Sequence, residues 1–162
     1  MTIAVGDRLP EAIFLEKGVE GIEAVTGKAL FTGRRVVLFA VPGAYTGTCS
    51  NRHVPSFIRV ADALRARGID EIVCVAVNDP FVMGAWGEAT GATKAGIRML
   101  SDASAAFARA MGLMFDNPDR GLISRSKRYA LLAEDAVVRV LNVEASTGEC
   151  DVSAGERMLE SA

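Results

Sequence analysis

The chain has 162 residues, half of them hydrophobic and 23% charged, with a formal net charge of −2. This is the composition of one folded domain over 1–162, and so small a charge offers no basic field to nucleic acid or an anionic membrane. No run approaches the about 18 consecutive apolar residues of a membrane helix, and the N-terminus lacks the cationic head and apolar stretch of a signal peptide, so the expected location is cytoplasmic.

Residues 1–33 are punctuated by Gly and Pro, in AVGDRLP, AIFLEKG and GIEAVTGKALFTG, and predict short strands and turns. RRVVLFAV (34–41) is a continuous β-rich apolar run, the pattern of a strand buried on both faces. A loop over 42–50, opened by Pro42, breaks it. SFIRVADALRARG (56–68) then has the periodicity of an amphipathic helix ending at Gly68, and Pro55 should kink that helix or delay its regular start. IDEIVCVAVND (69–79) is a second buried strand, and PFVMGAWGEATGA (80–92) a weaker helix, since three glycines fall within it. Next come a short strand (96–102) and a helix (103–113) capped by Ser101 or Asp102. A loop over 114–124 leads to two strands, KRYALLAE and AVVRVLNVE, flanking a tight turn at Glu134-Asp135. The tail DVSAGERMLESA carries a helix-start signature, Ser153 with Glu156 three residues on. The order predicts an α/β fold: a central mixed β-sheet flanked by helices, with a short N-terminal β extension.

Chemistry concentrates at the strand-to-helix junction VVLFAVPGAYTGTCSNRH (36–53), because open α/β sheets gather their sites beyond the carboxyl ends of strands. A cysteine in the first turn of the following helix meets unpaired backbone N–H groups and the positive end of the helix dipole, and both favour thiolate. Cys49 is so placed. The competing reading is an inert packed thiol, since free cysteine is among the most buried residue types. With three cysteines, one histidine and no C-x-x-C, the chain is too poor in ligands for a structural zinc site. No phosphate-cradling glycine motif occurs, so no cofactor is expected beyond an external reductant.

Pro42-Gly43-Ala44-Tyr45-Thr46-Gly47-Thr48-Cys49 resembles the P-x-x-x-T-x-x-C signature of peroxiredoxins, and VPGAYTGTCSNRHVPSF is similar to their type II, or peroxiredoxin-V-like, branch. The similarity continues through CVAVNDPFVMGAWG (74–87), SKRYALL (126–132) and VVRVLNVE (137–144), nearly the whole chain. It implies a thioredoxin-like fold and a thiol-dependent peroxidase acting on hydrogen peroxide and small organic hydroperoxides. On this resemblance Cys49 is the peroxidatic cysteine, oxidised to a sulfenic acid. Thr46 bonds thiolate and substrate, Pro42 closes the pocket and Arg128 stands beside the sulfur. Strand alternation puts Arg128 on the face of Ala130 and Leu132, where an inward cation needs an anionic partner. A solvated edge charge is the alternative.

His53, four residues after Cys49, could on sequence alone be a base, half of a metal pair or a structural histidine; the resemblance makes it a support of the hydrogen-bond network. Trp86 and Phe81 read as core or interface. The resemblance also implies a homodimer, with the loop 42–46 and the Trp86 region near the contact. Three thiols compete to reduce the sulfenic acid: Cys74, Cys150, or an external one supplied by glutathione, glutaredoxin or thioredoxin. Two rival readings are a thiol–disulfide exchange enzyme, disfavoured by the missing C-x-x-C, and a redox-sensing binding protein using the same cysteine.

Overall fold

Two apolar layers, one on each face of a seven-stranded sheet, account for the long hydrophobic runs. The computed structural model describes residues 1–162. Its central strands are β3 (Arg35–Val41), β4 (Glu71–Ala76) and β5 (Arg98–Ser101), which run parallel. The antiparallel pair β8 (Tyr129–Glu134) and β9 (Val137–Val143) extends one edge; the N-terminal hairpin β1 (Ile13–Lys17) and β2 (Ile22–Thr26) extends the other. The strand order is β2-β1-β5-β4-β3-β8-β9.

Side chains alternate across this sheet with period two. Val37, Phe39 and Val41, with Ile72, Cys74 and Ala76, enter the layer beneath α2 (Val54–Ala66), α3 (Pro80–Thr90) and α5 (Gly155–Ser161). Val36, Leu38 and Ala40, with Val73 and Val75, enter the layer shared with α1 (Gly27–Phe31) and α4 (Ala106–Met111). A continuous apolar run is therefore needed in β3 and β4, because neither face meets water.

The structure departs from the sequence-based expectations in five places. Residues 27–31, expected as turn, form α1, capped by the Thr26 hydroxyl accepting from Ala29 N at 3.1 Å. Helical structure begins well before 56: a π-helical turn, Cys49–His53, runs directly into α2. Pro55 lacks the N–H that an α-helix would aim one turn back, and the wide turn precedes it, so the regular helix starts only at Val54. The supposed loop 114–124 contributes to a separate two-stranded sheet, β6 (Met114–Asn117) with β7 (Leu122–Ser126), joined by a 3-10 turn. The β8–β9 turn sits at Asp135-Ala136, one residue on, with φ of 48° and 65°; a two-residue hairpin turn needs both in the left-handed region to match strand twist. Finally, α5 starts at Gly155 and Ser153 does not cap it, because its hydroxyl donates to Glu144 Oε2 at 2.6 Å. At α4 the capping expectation held in chemistry although not in position: Asp102 accepts from Phe107 N and Ala108 N at 3.0 and 2.9 Å, while Ala105 occupies the cap.

Candidate active site

β3 delivers the chain to Pro42, and the helical segment resumes at Gly47, so Cys49 falls in its first turn. The thiol is fully buried. The β3–β8 register, Ala40 opposite Tyr129, sets Arg128 at the end of the sheet from which this loop departs. Arg128 is 1% exposed. Its Nη2 donates to Cys49 Sγ at 3.0 Å, its Nε to the Thr147 carbonyl at 3.0 Å, and its Nη1 meets His53 Nδ1 at 2.9 Å. No carboxylate lies within ion-pair distance of this guanidinium. A buried cation needs compensation, and the sulfur, as thiolate, is the group placed to give it.

His53 Nε2 lies 3.0 Å from the Ser153 carbonyl, which can only accept. The proton therefore sits on Nε2, and Nδ1 presents its lone pair to Arg128. Burial first, then the Arg128 charge, lowers the ring's pKa to about 3, so it is neutral at physiological pH. With its one acceptor nitrogen occupied by a guanidinium, His53 has no free lone pair with which to take a thiol proton. It holds Arg128 in place.

Thr46 is a correction. Its hydroxyl donates to the Gly43 carbonyl at 2.8 Å, closing the turn at Tyr45 (φ 65°), and the expected bond to the thiol is not made. Pro42 is buried, and its carbonyl accepts from Arg125 Nη1 at 3.2 Å. Pro42, Thr46 and Arg128 share with Phe115 and Arg120 a mouth of about 420 Å³ that Cys49 itself does not line; Arg128 links it to the thiol, and no carboxylate lines it. The strands β6 and β7 supply one wall of this mouth. A second cavity of about 400 Å³, at Glu16 and Arg98, is remote from the thiol, and its charges already pair at 2.8 Å.

The other thiols are free and buried. Cys74 lies in the same apolar layer as Cys49, opposite Phe39 on the neighbouring strand; burial, and then the nearby Cys49, push its thiol well up. Cys150 borders a cavity of about 290 Å³ with Arg52 and Arg59, and burial raises its thiol too. Trp86 is buried and donates to Ser50 Oγ at 3.0 Å, whereas Phe81, 61% exposed, is not core.

Glu144 escaped the sequence reading, and Ser153 was read there only as a helix start. Glu144 Oε2 accepts from Asp151 N and Ser153 N, each at 2.8 Å, and from the Ser153 hydroxyl. Burial pushes its carboxyl up, but the hydrogen bonds from Ser153 and Asp151 outweigh it and hold the group below its usual range. The only signal touching this cluster was the Ser153/Glu156 spacing, which pointed to a cap.

A family model for redoxins matches residues 4–159. The chain is 48% identical over 163 residues to Peroxiredoxin-2E-2, chloroplastic, of Oryza sativa subsp. japonica, covering 98% of this chain and 72% of that one. It is 43% identical over 160 residues to Peroxiredoxin-2B of Arabidopsis thaliana, covering 98% and 97%. Among solved structures, reduced Prx3 of Vibrio vulnificus in complex with hydrogen peroxide superposes with a TM-score of 0.93 at 46% identity, covering 99% of each chain.

Proposed function

Because the chain belongs to the redoxin family, and within it to the type II peroxiredoxins, we propose which of its residues carry the reaction and which thiol closes the cycle. It is a thiol-dependent peroxidase on a thioredoxin-like fold. Cys49 is the nucleophile. Its thiolate attacks one oxygen of the hydroperoxide; the S–O bond forms as the O–O bond breaks, and the leaving oxygen takes a proton to become water or an alcohol. Sulfur is oxidised to sulfenic acid and the peroxide is reduced. The observation that carries this assignment is the Arg128 Nη2–Cys49 Sγ contact at 3.0 Å. That guanidinium has no other anion to serve, and its donors suit charge moving from sulfur to the leaving oxygen. The Thr46 oxygen, its own hydrogen committed to Gly43, is left to accept from the peroxide O–H. Pro42 closes the mouth.

An external thiol resolves the sulfenic acid. Cys74 stands inside a sheet buried on both faces, where burial, and then the nearby Cys49, push its thiol well up and disfavour the thiolate that resolution needs. Cys150 is anchored by the Glu144 clamp on Asp151 and Ser153. The mouth, with Arg120 and Arg128 and no acid, suits an anionic thiol such as glutathione. That thiol attacks the sulfenic sulfur with loss of water, and a second thiol, free or on glutaredoxin, reduces the mixed disulfide. The cycle needs no bound cofactor. The same reading makes the chain a cytoplasmic homodimer whose contact includes the exposed Tyr45 and Phe81.

Peroxide consumption with glutathione, and peptide mass spectrometry after one equivalent of peroxide, test this. Cys49→Ser abolishes turnover, while Cys74→Ser and Cys150→Ser retain it and yield a glutathione adduct at Cys49. Arg120→Glu raises the KM for glutathione about two- to fivefold, the worth of one exposed charge pair, and leaves the peroxide step unchanged. An obligatory Cys49–Cys74 or Cys49–Cys150 disulfide would replace the external thiol, and faster turnover with thioredoxin would replace the donor.

A further inference from the structure

β9 ends at Val143, and the next residue, Glu144, is 7% exposed with no cation within ion-pair distance. A buried carboxylate without a countercharge is costly unless donors satisfy it. Three do, all on Oε2: Asp151 N, Ser153 N and the Ser153 hydroxyl, at 2.8, 2.8 and 2.6 Å. The main chain of Glu144 is tied as well, its N–H donating to the Arg128 carbonyl at 3.0 Å. One residue thus grips both the strand end that carries Arg128 and the turn at 151–153.

What that turn presents is a single carbonyl. Ser153 O accepts from His53 Nε2 at 3.0 Å, His53 Nδ1 accepts from Arg128 Nη1 at 2.9 Å, and Arg128 Nη2 reaches Cys49 Sγ at 3.0 Å. A neutral imidazole donates from one nitrogen and accepts at the other. The Ser153 carbonyl therefore decides that the proton sits on Nε2 and that Nδ1 offers the guanidinium a lone pair. If the proton moved to Nδ1, two donors would confront each other and Arg128 would have to turn away. We propose that Glu144 and Ser153 are positioning residues for the Cys49 thiolate: they lock the His53 tautomer that aims Arg128 at the sulfur. The inference rests on the peroxidase reading for its kinetic consequence, and on the hydrogen-bond circuit alone for the thiolate itself. Neither residue touches the sulfur. Outer partners that fix a histidine in this way are worth about 10–100-fold where they have been removed from metal sites, and a guanidinium aimed at a thiolate has the same geometric demand.

The test uses the full chain with Cys74→Ser and Cys150→Ser, so that thiolate absorbance near 240 nm reports Cys49 alone. Glu144→Gln is expected to move the pH midpoint of that absorbance up by about one unit and to slow the peroxide reaction at pH 7 about tenfold, toward the lower end of that range. Ser153→Ala, which keeps the carbonyl but removes one of three donors, shifts both in the same direction by less. A Glu144→Gln protein that melts earlier but keeps the parent midpoint and rate overturns the proposal, because a merely structural clamp changes stability only. Should Glu144→Gln fail to fold, Ser153→Ala decides: an unmoved midpoint overturns the proposal, a raised one supports it. A parent chain inert toward peroxide would sink the peroxidase reading instead, and the absorbance midpoints would still decide the role of Glu144.

Discussion

At the scale of single residues, His53 shows how packing can remove a histidine from acid–base duty. Its ring lies 5.0 Å from Phe39 and 5.6 Å from Phe57, centroid to centroid, with the Arg128 guanidinium on Nδ1. Burial, then Arg128, depresses its pKa from 6.5 to about 3. The unfolded chain therefore binds a proton that the native one refuses at any pH between those values. Stability from this group is complete above pH 6.5 and falls as the pH drops through that window, by on the order of a few kcal/mol in all. Urea unfolding between pH 7 and 5 should show this slope, and His53→Gln, uncharged throughout, should flatten it. The depressed carboxyl of Glu144 acts in the same direction but only below its ordinary value of 4.5, under the range of that urea series. Equal slopes in parent and variant would mean that the ring is reached by water and protonates in place.

Among the elements, the β8–β9 hairpin carries an avoidable strain. Both turn residues, Asp135 and Ala136, lie in the left-handed region, which costs a side-chain-bearing residue about 1 kcal/mol relative to glycine. Asp135 earns its place by accepting from Gly33 N at 2.7 Å; Ala136 has a carbonyl that accepts from Leu9 N and only a half-buried methyl at the core's edge. Ala136→Gly is expected to stabilise the protein by about 0.5–1 kcal/mol, raising the Tm by about 1–4 °C, and a calorimetric scan showing a lower Tm would contradict this. The same hairpin shows what a sequence discloses. Its strands were legible because two β-rich apolar runs flank a polar break, and β3 and β4 were legible as continuous apolar runs and α2 by its amphipathic periodicity. The turn was placed one residue early because neither residue there is glycine. The β6–β7 ribbon was missed because its residues are mostly half-buried or exposed, with no alternation to read. At the site, Cys49 was legible from its junction, and Arg128 from the resemblance carried by SKRYALL, to which the face it shares with Ala130 and Leu132 added little. Glu144 and the clamp at Ser153 were not: eight residues of irregular chain separate them, and only the fold makes one the partner of the other. The cap signature at Ser153 failed for that reason, since a buried carboxylate outbid a helix terminus for the hydroxyl. The helix found another route into place. Gly155 N donates to Ser56 Oγ at 2.9 Å, and a Cβ at Gly155 would collide with the Ser56 carbonyl, so α5 lies tight against α2.

For the whole molecule, the surface around the candidate site bears on assembly. Tyr45 and Phe81 are 57% and 61% exposed, large rings left in water on two segments that the structure ties together through Ala44 N and Asn78 Oδ1 at 2.9 Å. Below them Trp86 lies 6.5 Å from the Tyr45 ring and bonds Ser50, the neighbour of Cys49. A partner that covered Tyr45 and Phe81 would gain about 25 cal/mol for each Å² of apolar surface withdrawn from water, and it would also brace the loop that carries Thr46 and Cys49. The proposed homodimer therefore has a kinetic consequence as well as a hydrodynamic one. Sedimentation at about 10 µM, a concentration at which a micromolar association is mostly formed, should show a dimer. Tyr45→Glu with Phe81→Glu, which places charges where the contact would bury them, should give a folded monomer with a several-fold lower kcat/KM for peroxide and unchanged circular dichroism. A parent chain that sediments as a monomer would remove this face from the account. A double variant that stays dimeric would move the contact elsewhere, and the two rings would then owe their exposure to something other than a second copy of the chain.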